Sequence, residues 1–246
     1  MAVFGIRFAH GGVEQLAQQL ASTSVEPGQG VRNLITPNLE HIVQMTRDPR
    51  LRQAYDRAWL AIPDGVPVYL YAKLRGEPLA ERVAGSTLFD RLIRLLNAER
   101  HRCFFVCPTA TVKDFYDHFM AAQGFASDAV RTVVPPFGFD ADSELSAVLA
   151  DDIHDFQPTH VFFGVSSVRS EIWVHRYREL LGDCYVLCVG AALEFTAGIK
   201  SRAPTIVQRS GLEWAWRFVH EPRRLFRRYF LDSWVFLRAV RDDLAR

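Results

Sequence analysis

The chain has 246 residues, 49% of them apolar and 23% charged, with a formal net charge of +1. That composition excludes a disordered or low-complexity protein, and the length fits one large domain, or one domain with an appendage. The charge is unevenly spread: residues 209–246 hold nine Arg against five acids, so this tail carries +4 and the rest −3. A basic, aromatic tail on a mildly acidic body points to an anionic partner for the tail.

In chain order, "VFGIRFAH" reads as a short strand or hairpin and "GVEQLAQQLAS" as a helix. "GVRNLIT" reads as a strand leading into "TPNLEHIVQMTRD", a helix that Thr36 can cap, with Pro37 in its first turn. "PRLRQAYDRA" is a helix, "WLAIP" a short strand, and "GVPVYLYAKLRG" a helix closing at Gly76. "GSTLFDRLIRLLNAE" is amphipathic, with Leu88, Leu92, Leu95 and Leu96 on one face. Strands "RCFFVC", "AVRTVVPP", "THVFFGV" and "CYVLCVG" then alternate with helices "TATVKDFYDHFMAAQ", "ADSELSAVLADDIHDF" and "VRSEIWVHRYRELL". Short apolar strands alternating with amphipathic helices predict an α/β fold with a Rossmann-like parallel sheet and helices on both faces. After Pro204 the pattern becomes helical, aromatic and Arg-rich. The predicted division is an α/β domain over 1–204 and a helical appendage over 205–246.

No apolar run reaches the ~20 residues of a bilayer span. The N-terminal stretch lacks the sustained apolar core and small-residue cleavage site of a signal peptide. The expected location is the cytoplasm or the cytoplasmic face of the membrane. The spacings Cys103-x3-Cys107 and Cys184-x3-Cys188 imitate a metal site. Both pairs fall on apolar strands, however, where residues four apart sit ~13 Å from each other. Buried thiols are therefore expected.

In open parallel sheets, ligands bind beyond the carboxyl ends of the strands. Thr36, Asp64, Pro108, Ser166 and Gly190 all lie at predicted strand ends. Asp64 poses the sharpest question, because it is one carboxylate between two apolar segments, "WLAIP" and "VPVYLYA". Two readings stand: a turn acid capping the following helix, or a catalytic group facing a pocket.

The segments "LITPNLEHIV", "IPDGVPVYLYAKLRGEPLAERVAG", "GAALEFTAGIKSRAP" and "GLEWAWRFVHEPRRLFRRY" occur in this order. Together they resemble the WecG/TagA/CpsF glycosyltransferases over roughly residues 3 to 230. The resemblance implies inverting transfer of a hexose from a UDP-sugar to a saccharide on polyprenyl diphosphate, with no metal or other cofactor, in cell-surface polysaccharide synthesis. It implies Asp64 as catalytic base, with Thr36 and Asn38 as its polar neighbours. It places Arg82 of the "ERxxG" stretch, Ser166, Arg169, Ser170, Glu171, Gly190 and Glu194 toward the donor nucleotide. It gives Arg217, Arg224 and Arg227 of the tail to the lipid diphosphate. An inverting transfer needs one base near the acceptor hydroxyl, and arginine's planar fork suits a leaving diphosphate.

Three stretches depart from the family pattern. "SSVRSEIW" stands where the family has "GxPKQExW", so that Ser170 replaces Gln. Gly190-Ala191-Ala192-Leu193-Glu194 replaces Gly-Gly-x-Phe-Asp, and Cys107-Pro108 stands where a glycine is usual. All three lie on the presumed donor side, so a catalytically idle nucleotide-sugar or lipid-binding partner of another transferase stands as the alternative.

Other letter patterns have plainer accounts. Asp140-x-Asp142 imitates a metal-binding DxD, but Asp142 precedes a helix and reads as its N-cap. "DDIHDF" reads as a solvated helix end, no metal-site histidine spacing occurs, and no GxGxxG follows a strand. The Arg–aromatic tail fits an ordinary helix pair, a nucleic-acid surface or a membrane-facing helix. The mixture of Trp, Phe and Tyr with Arg favours the membrane surface, and nothing in the body of the chain supports nucleic acid. The oligomeric state is left open, a homo-oligomer included.

Overall fold

The computed structural model describes residues 2–201, Trp216 and residues 232–245. Six parallel strands form one sheet: β1 (Arg32–Ile35), β2 (Leu60–Ala61), β3 (Cys103–Val106), β4 (Val130–Val133), β5 (His160–Phe163) and β6 (Tyr185–Cys188). Their order is β2-β1-β6-β5-β3-β4. The chain therefore leaves β1 toward one edge and β3 toward the other, and β5 and β6 return to fill the centre. Register follows the apolar runs, with Phe104 opposite Val161 and Val161 opposite Val186.

The helices are α1 (Val13–Ser22), α2 (Leu39–Met45), α3 (Pro49–Asp56), α4 (Val66–Leu74), α5 (Gly85–Leu95), α6 (Ala110–Ala122), α7 (Ser143–Phe156), α8 (Ser167–Tyr177), α9 (Ala192–Thr196) and α10 (Asp232–Leu244). Alternate strand residues face opposite sides. Leu34, Phe105, Phe162 and Leu187 pack with residues of α1, α5 and α6 in one cluster. Phe104, Val106, Val161, Phe163 and Val186 pack with α7 and α8 in another. Every residue of β3, β5 and β6 is buried, as strands covered on both faces require. Each fully buried Phe contributes about 1.5–3 kcal/mol relative to its exposed state.

The expected α/β architecture is present, with local differences. The N-terminal segment holds only a minimal hairpin. Phe4 and Gly5, both at positive φ, make a tight turn closed by a single Val3–Ile6 bridge. Phe8 then adds one parallel bridge to Ala61, at the β2 edge. On α5 the buried stripe is Leu88, Phe89, Leu92 and Ile93, and Leu95 is exposed. The four cysteines are buried and unbonded.

The expected boundary at 204/205 lies outside the described residues. The end of the tail, α10, is docked on the body. Its Phe236 joins Phe4, Val68 and Tyr71 in the cluster at the β1–β2 edge. Buried Asp243 accepts hydrogen bonds from Phe4 N (2.7 Å), Tyr71 Oη (2.8 Å) and Arg75 Nη1 (2.6 Å). Asp232 near the other end pairs with Arg47 Nη2 at 2.8 Å. Among the described residues no helix is long and apolar enough to cross a membrane.

Candidate active site

Because all six strands are parallel, their carboxyl ends share one edge of the sheet, and the site is built there in two parts. The first surrounds Asp64. Buried Thr36 directly follows β1, and Asn38 caps α2, its Oδ1 accepting from Glu40 N (3.0 Å) and His41 N (3.4 Å). Asn38, not Thr36, is thus the cap, and Pro37 precedes it. Asp64 N donates to Pro37 O at 3.1 Å, which ties the β2–α4 turn to the β1–α2 turn.

Asp64 does not cap α4. The N-cap of that helix is Gly65, at φ 87° and ψ 138°, a backbone state that disfavours any side chain. Asp64 thus stands one residue before the N-cap position, and its side chain is part-exposed at the strand end. Gly65 also sits against Asn38: a Cβ there would lie 3.4 Å from Asn38 Cβ. Gly85, the first residue of α5, is pressed on Thr36, and a Cβ there would lie 2.9 Å from Thr36 Cγ2. Glu81 is tied to the start of α1 through Val13 N (2.6 Å). Arg82, expected beside the nucleotide, therefore lies on the segment leading to the Thr36–Gly85 contact. It is not among the described lining residues of the crevice that follows.

The second part is a crevice of about 580 Å³ beyond β3, β4, β5 and β6. Ser166, Arg169, Ser170, Gly190 and Glu194 line it. Ser166 sits at the N-cap position of α8 and its Oγ accepts from Arg169 Nε at 3.3 Å. The N–H groups and positive dipole end of an eleven-residue helix, a guanidinium and an ammonium therefore meet here. Arg169 Nη1 lies 3.5 Å from Asp140 Oδ1, and Lys200 Nζ lies 2.7 Å from Glu194 Oε2. The volume suits a nucleotide-sized ligand.

Glu171 departs from expectation. Its side chain is fully buried, and successive helix residues point about 100° apart. While Arg169 and Ser170 reach the crevice, Glu171 turns inward to Tyr55 Oη (3.4 Å) and His41 Nε2 (3.5 Å). Burial raises its pKa well above the usual carboxylate range, with Glu40 adding to the rise and the Tyr55 bond opposing it. Arg217, Arg224 and Arg227 lie outside the described residues.

Sequence reasoning missed Lys200, Asp140 and the loop Val134–Asp140 as crevice walls, together with Phe137, which is almost wholly exposed at the rim. The strand-end rule that flagged Pro108 applies equally to "VPPFGFD" after β4. Asp142, read as an N-cap, does cap α7 through Glu144 N and Leu145 N.

The profile of the glycosyl transferase WecG/TagA/CpsF family matches residues 1–246. The chain belongs to the WecG/TagA/CpsF family of glycosyltransferases. This family member is 25% identical over 235 residues to an N-acetylglucosaminyldiphosphoundecaprenol N-acetyl-beta-D-mannosaminyltransferase of Bacillus spizizenii strain W23, covering 93% of this chain and 86% of the relative. It is 22% identical over 232 residues to the enzyme of the same name from Staphylococcus aureus strain MW2, covering 92% and 86%.

Proposed function

We propose that the chain transfers a hexose, of the N-acetylmannosamine or glucose type, from a UDP-sugar to a saccharide on polyprenyl diphosphate, with inversion and without a metal. The observation that carries this reading is the placement of Asp64: a part-exposed carboxylate at a strand end, its turn tied by Asp64 N–Pro37 O to the turn that carries Thr36 and Asn38. Asp64 takes the proton of the acceptor hydroxyl. The hydroxyl oxygen forms a bond to the anomeric carbon on the face opposite the nucleotide. The bond from that carbon to the diphosphate oxygen breaks, and UDP leaves with the electron pair. Arg169, Lys200 and the N-terminus of α8, which meet in the crevice, would hold the departing diphosphate charge. Thr36 and Asn38 orient the sugar or the carboxylate, and Arg82 serves the donor nucleotide.

The relatives are named for an N-acetylglucosaminyl-diphosphoundecaprenol acceptor and an N-acetylmannosaminyl group transferred to it. Their similarity over most of the chain supports the same substrate class here. In this reading the chain works at the inner membrane face, with the basic tail, including Arg217, Arg224 and Arg227, toward the lipid diphosphate. The test is a UDP-sugar panel against a polyprenyl-diphosphate monosaccharide, with and without chelator, and the anomeric configuration of the product read by NMR. Chelator-insensitive transfer with inverted configuration is expected. Retention, or dependence on a divalent cation, overturns those parts.

A second reading has one observation behind it. Ser170 Oγ, where the family has Gln, donates back to Ser166 O at 2.7 Å. Its hydroxyl thus serves its own helix. An idle nucleotide-sugar or lipid-binding partner of another transferase would bind UDP in calorimetry yet turn over no donor.

A further inference from the structure

The mechanism leaves unused a buried polar network between the two halves of the site. Glu171, His41 and Tyr55 are all at most 4% exposed. Buried polar and ionisable groups are costly unless hydrogen-bonded, and here the Tyr55–Glu171 bond is long at 3.4 Å, while His41 Nε2 and Glu171 Oε2 face each other at 3.5 Å without hydrogen-bond geometry. Apolar side chains would pack this space without that cost.

The hydrogen bond at the other side of the histidine fixes its tautomer. Asn38 N lies 3.3 Å from His41 Nδ1. A backbone amide can only donate, so Nδ1 accepts with its lone pair, and the ring proton sits on Nε2, facing Glu171 Oε2. The same Asn38 caps α2, and the preceding residue, Pro37, accepts from Asp64 N at 3.1 Å. At the opposite end of the network, Glu171 directly follows Arg169 and Ser170 of the crevice on α8. A continuous path therefore runs from the crevice helix, through Glu171 and His41, to the backbone that holds Asp64.

We propose that Glu171 is a positioning residue, which through His41 fixes the Asn38 end of α2 and the Pro37–Asp64 corner in register with the donor crevice. This rests on the reading of Asp64 as the base. Tyr55 is the second brace, holding the other carboxyl oxygen. The required property is hydrogen bonding rather than charge. A glutamine at 171 can turn its carbonyl to His41 Nε2–H and its amide to Tyr55 Oη, so it replaces the acid. A leucine cannot.

The test compares Glu171→Gln, Glu171→Leu and His41→Phe in the full chain. Transfer kinetics, UDP affinity by calorimetry and amide hydrogen exchange at Asn38 are measured well below the melting temperature. Glu171→Gln is expected to keep kcat within threefold of the parent. Glu171→Leu and His41→Phe are expected to lose at least tenfold in kcat, with UDP affinity changed less than threefold. Both should also speed Asn38 amide exchange at least tenfold. Parental kcat in Glu171→Leu, or a Glu171→Gln variant as poor as the leucine, overturns the proposal, as does a loss confined to UDP affinity. If the parent transfers no sugar at all, the functional reading fails. The exchange measurement still judges the network, and unchanged Asn38 protection in both variants refutes it.

Discussion

Replacing Gly85 by alanine would put a methyl carbon 2.9 Å from Thr36 Cγ2 and 3.5 Å from Thr36 Oγ1. Packed carbons settle about 3.5–4.0 Å apart, so the two must separate by roughly half an ångström or more. Neither side yields easily. Thr36 is β-branched, stiff at χ1 and buried at the end of β1. The α5 helix is held by Leu88, Phe89, Leu92 and Ile93, all essentially inaccessible. Overpacking of this kind costs about 1–3 kcal/mol, and the better helix propensity of alanine returns at most about 1 kcal/mol. A net loss of about 1–2 kcal/mol corresponds to a melting point roughly 2–8 °C lower for a chain this size. Because Thr36 moves with the clash, kcat/KM should fall about tenfold or more, as sub-ångström misplacement of catalytic groups does. Calorimetric melting and initial transfer rates check both numbers. A variant with the parent's melting point and kcat/KM would show that the Gly85–Thr36 contact does not hold this corner.

His160, buried beside His101 and bonded through Nε2 to Leu20 O, has its pKa pushed down to about 3 by burial, with His101 adding to the fall. The unfolded chain then binds a proton near pH 6.5 that the folded chain refuses. Stability is full above that pH and is lost as pH falls toward 3, by about 3–5 kcal/mol in all. Urea midpoints between pH 7 and pH 4.5 should decline, and less steeply in His160→Phe. Arg169→Ala removes a cation from the crevice and should weaken UDP binding roughly 10- to 100-fold by calorimetry, with melting changed little, since the side chain is half exposed. Asp243→Ala strands Phe4 N, Tyr71 Oη and Arg75. It should cost about 3 kcal/mol and release α10 to limited proteolysis ahead of the body.

The sheet was legible because strands buried on both faces read as unbroken apolar runs, while the helices between them carry a 3.6-residue stripe. The Asp64 corner was legible from strand-end position, but its cap ambiguity was not resolvable there. Only the backbone at Gly65 decides which residue starts α4. Thr36 and Asn38 were both plausible caps, and the asparagine wins because its Oδ1 reaches two amides of the first turn. Glu171 was misplaced because its neighbours in the "SSVRSEIW" stretch do face the crevice. A helix turns about 100° per residue, so adjacency in sequence does not confer a shared direction. The exposure of Leu95 and the single-bridge turn at Phe4 depend on packing partners distant in sequence. So does the docking of α10, whose anchors Arg47, Tyr71 and Arg75 lie more than 150 residues away.

The most direct measurement is the turnover of Asp64→Asn, which keeps the side chain's shape and removes its basicity. With Asp64 as the base, kcat on a polyprenyl-diphosphate acceptor falls about 10²- to 10⁴-fold, while UDP affinity and melting temperature stay at the parent's values. Turnover within a few-fold of the parent would contradict the assignment of this carboxylate as the group that takes the acceptor's proton.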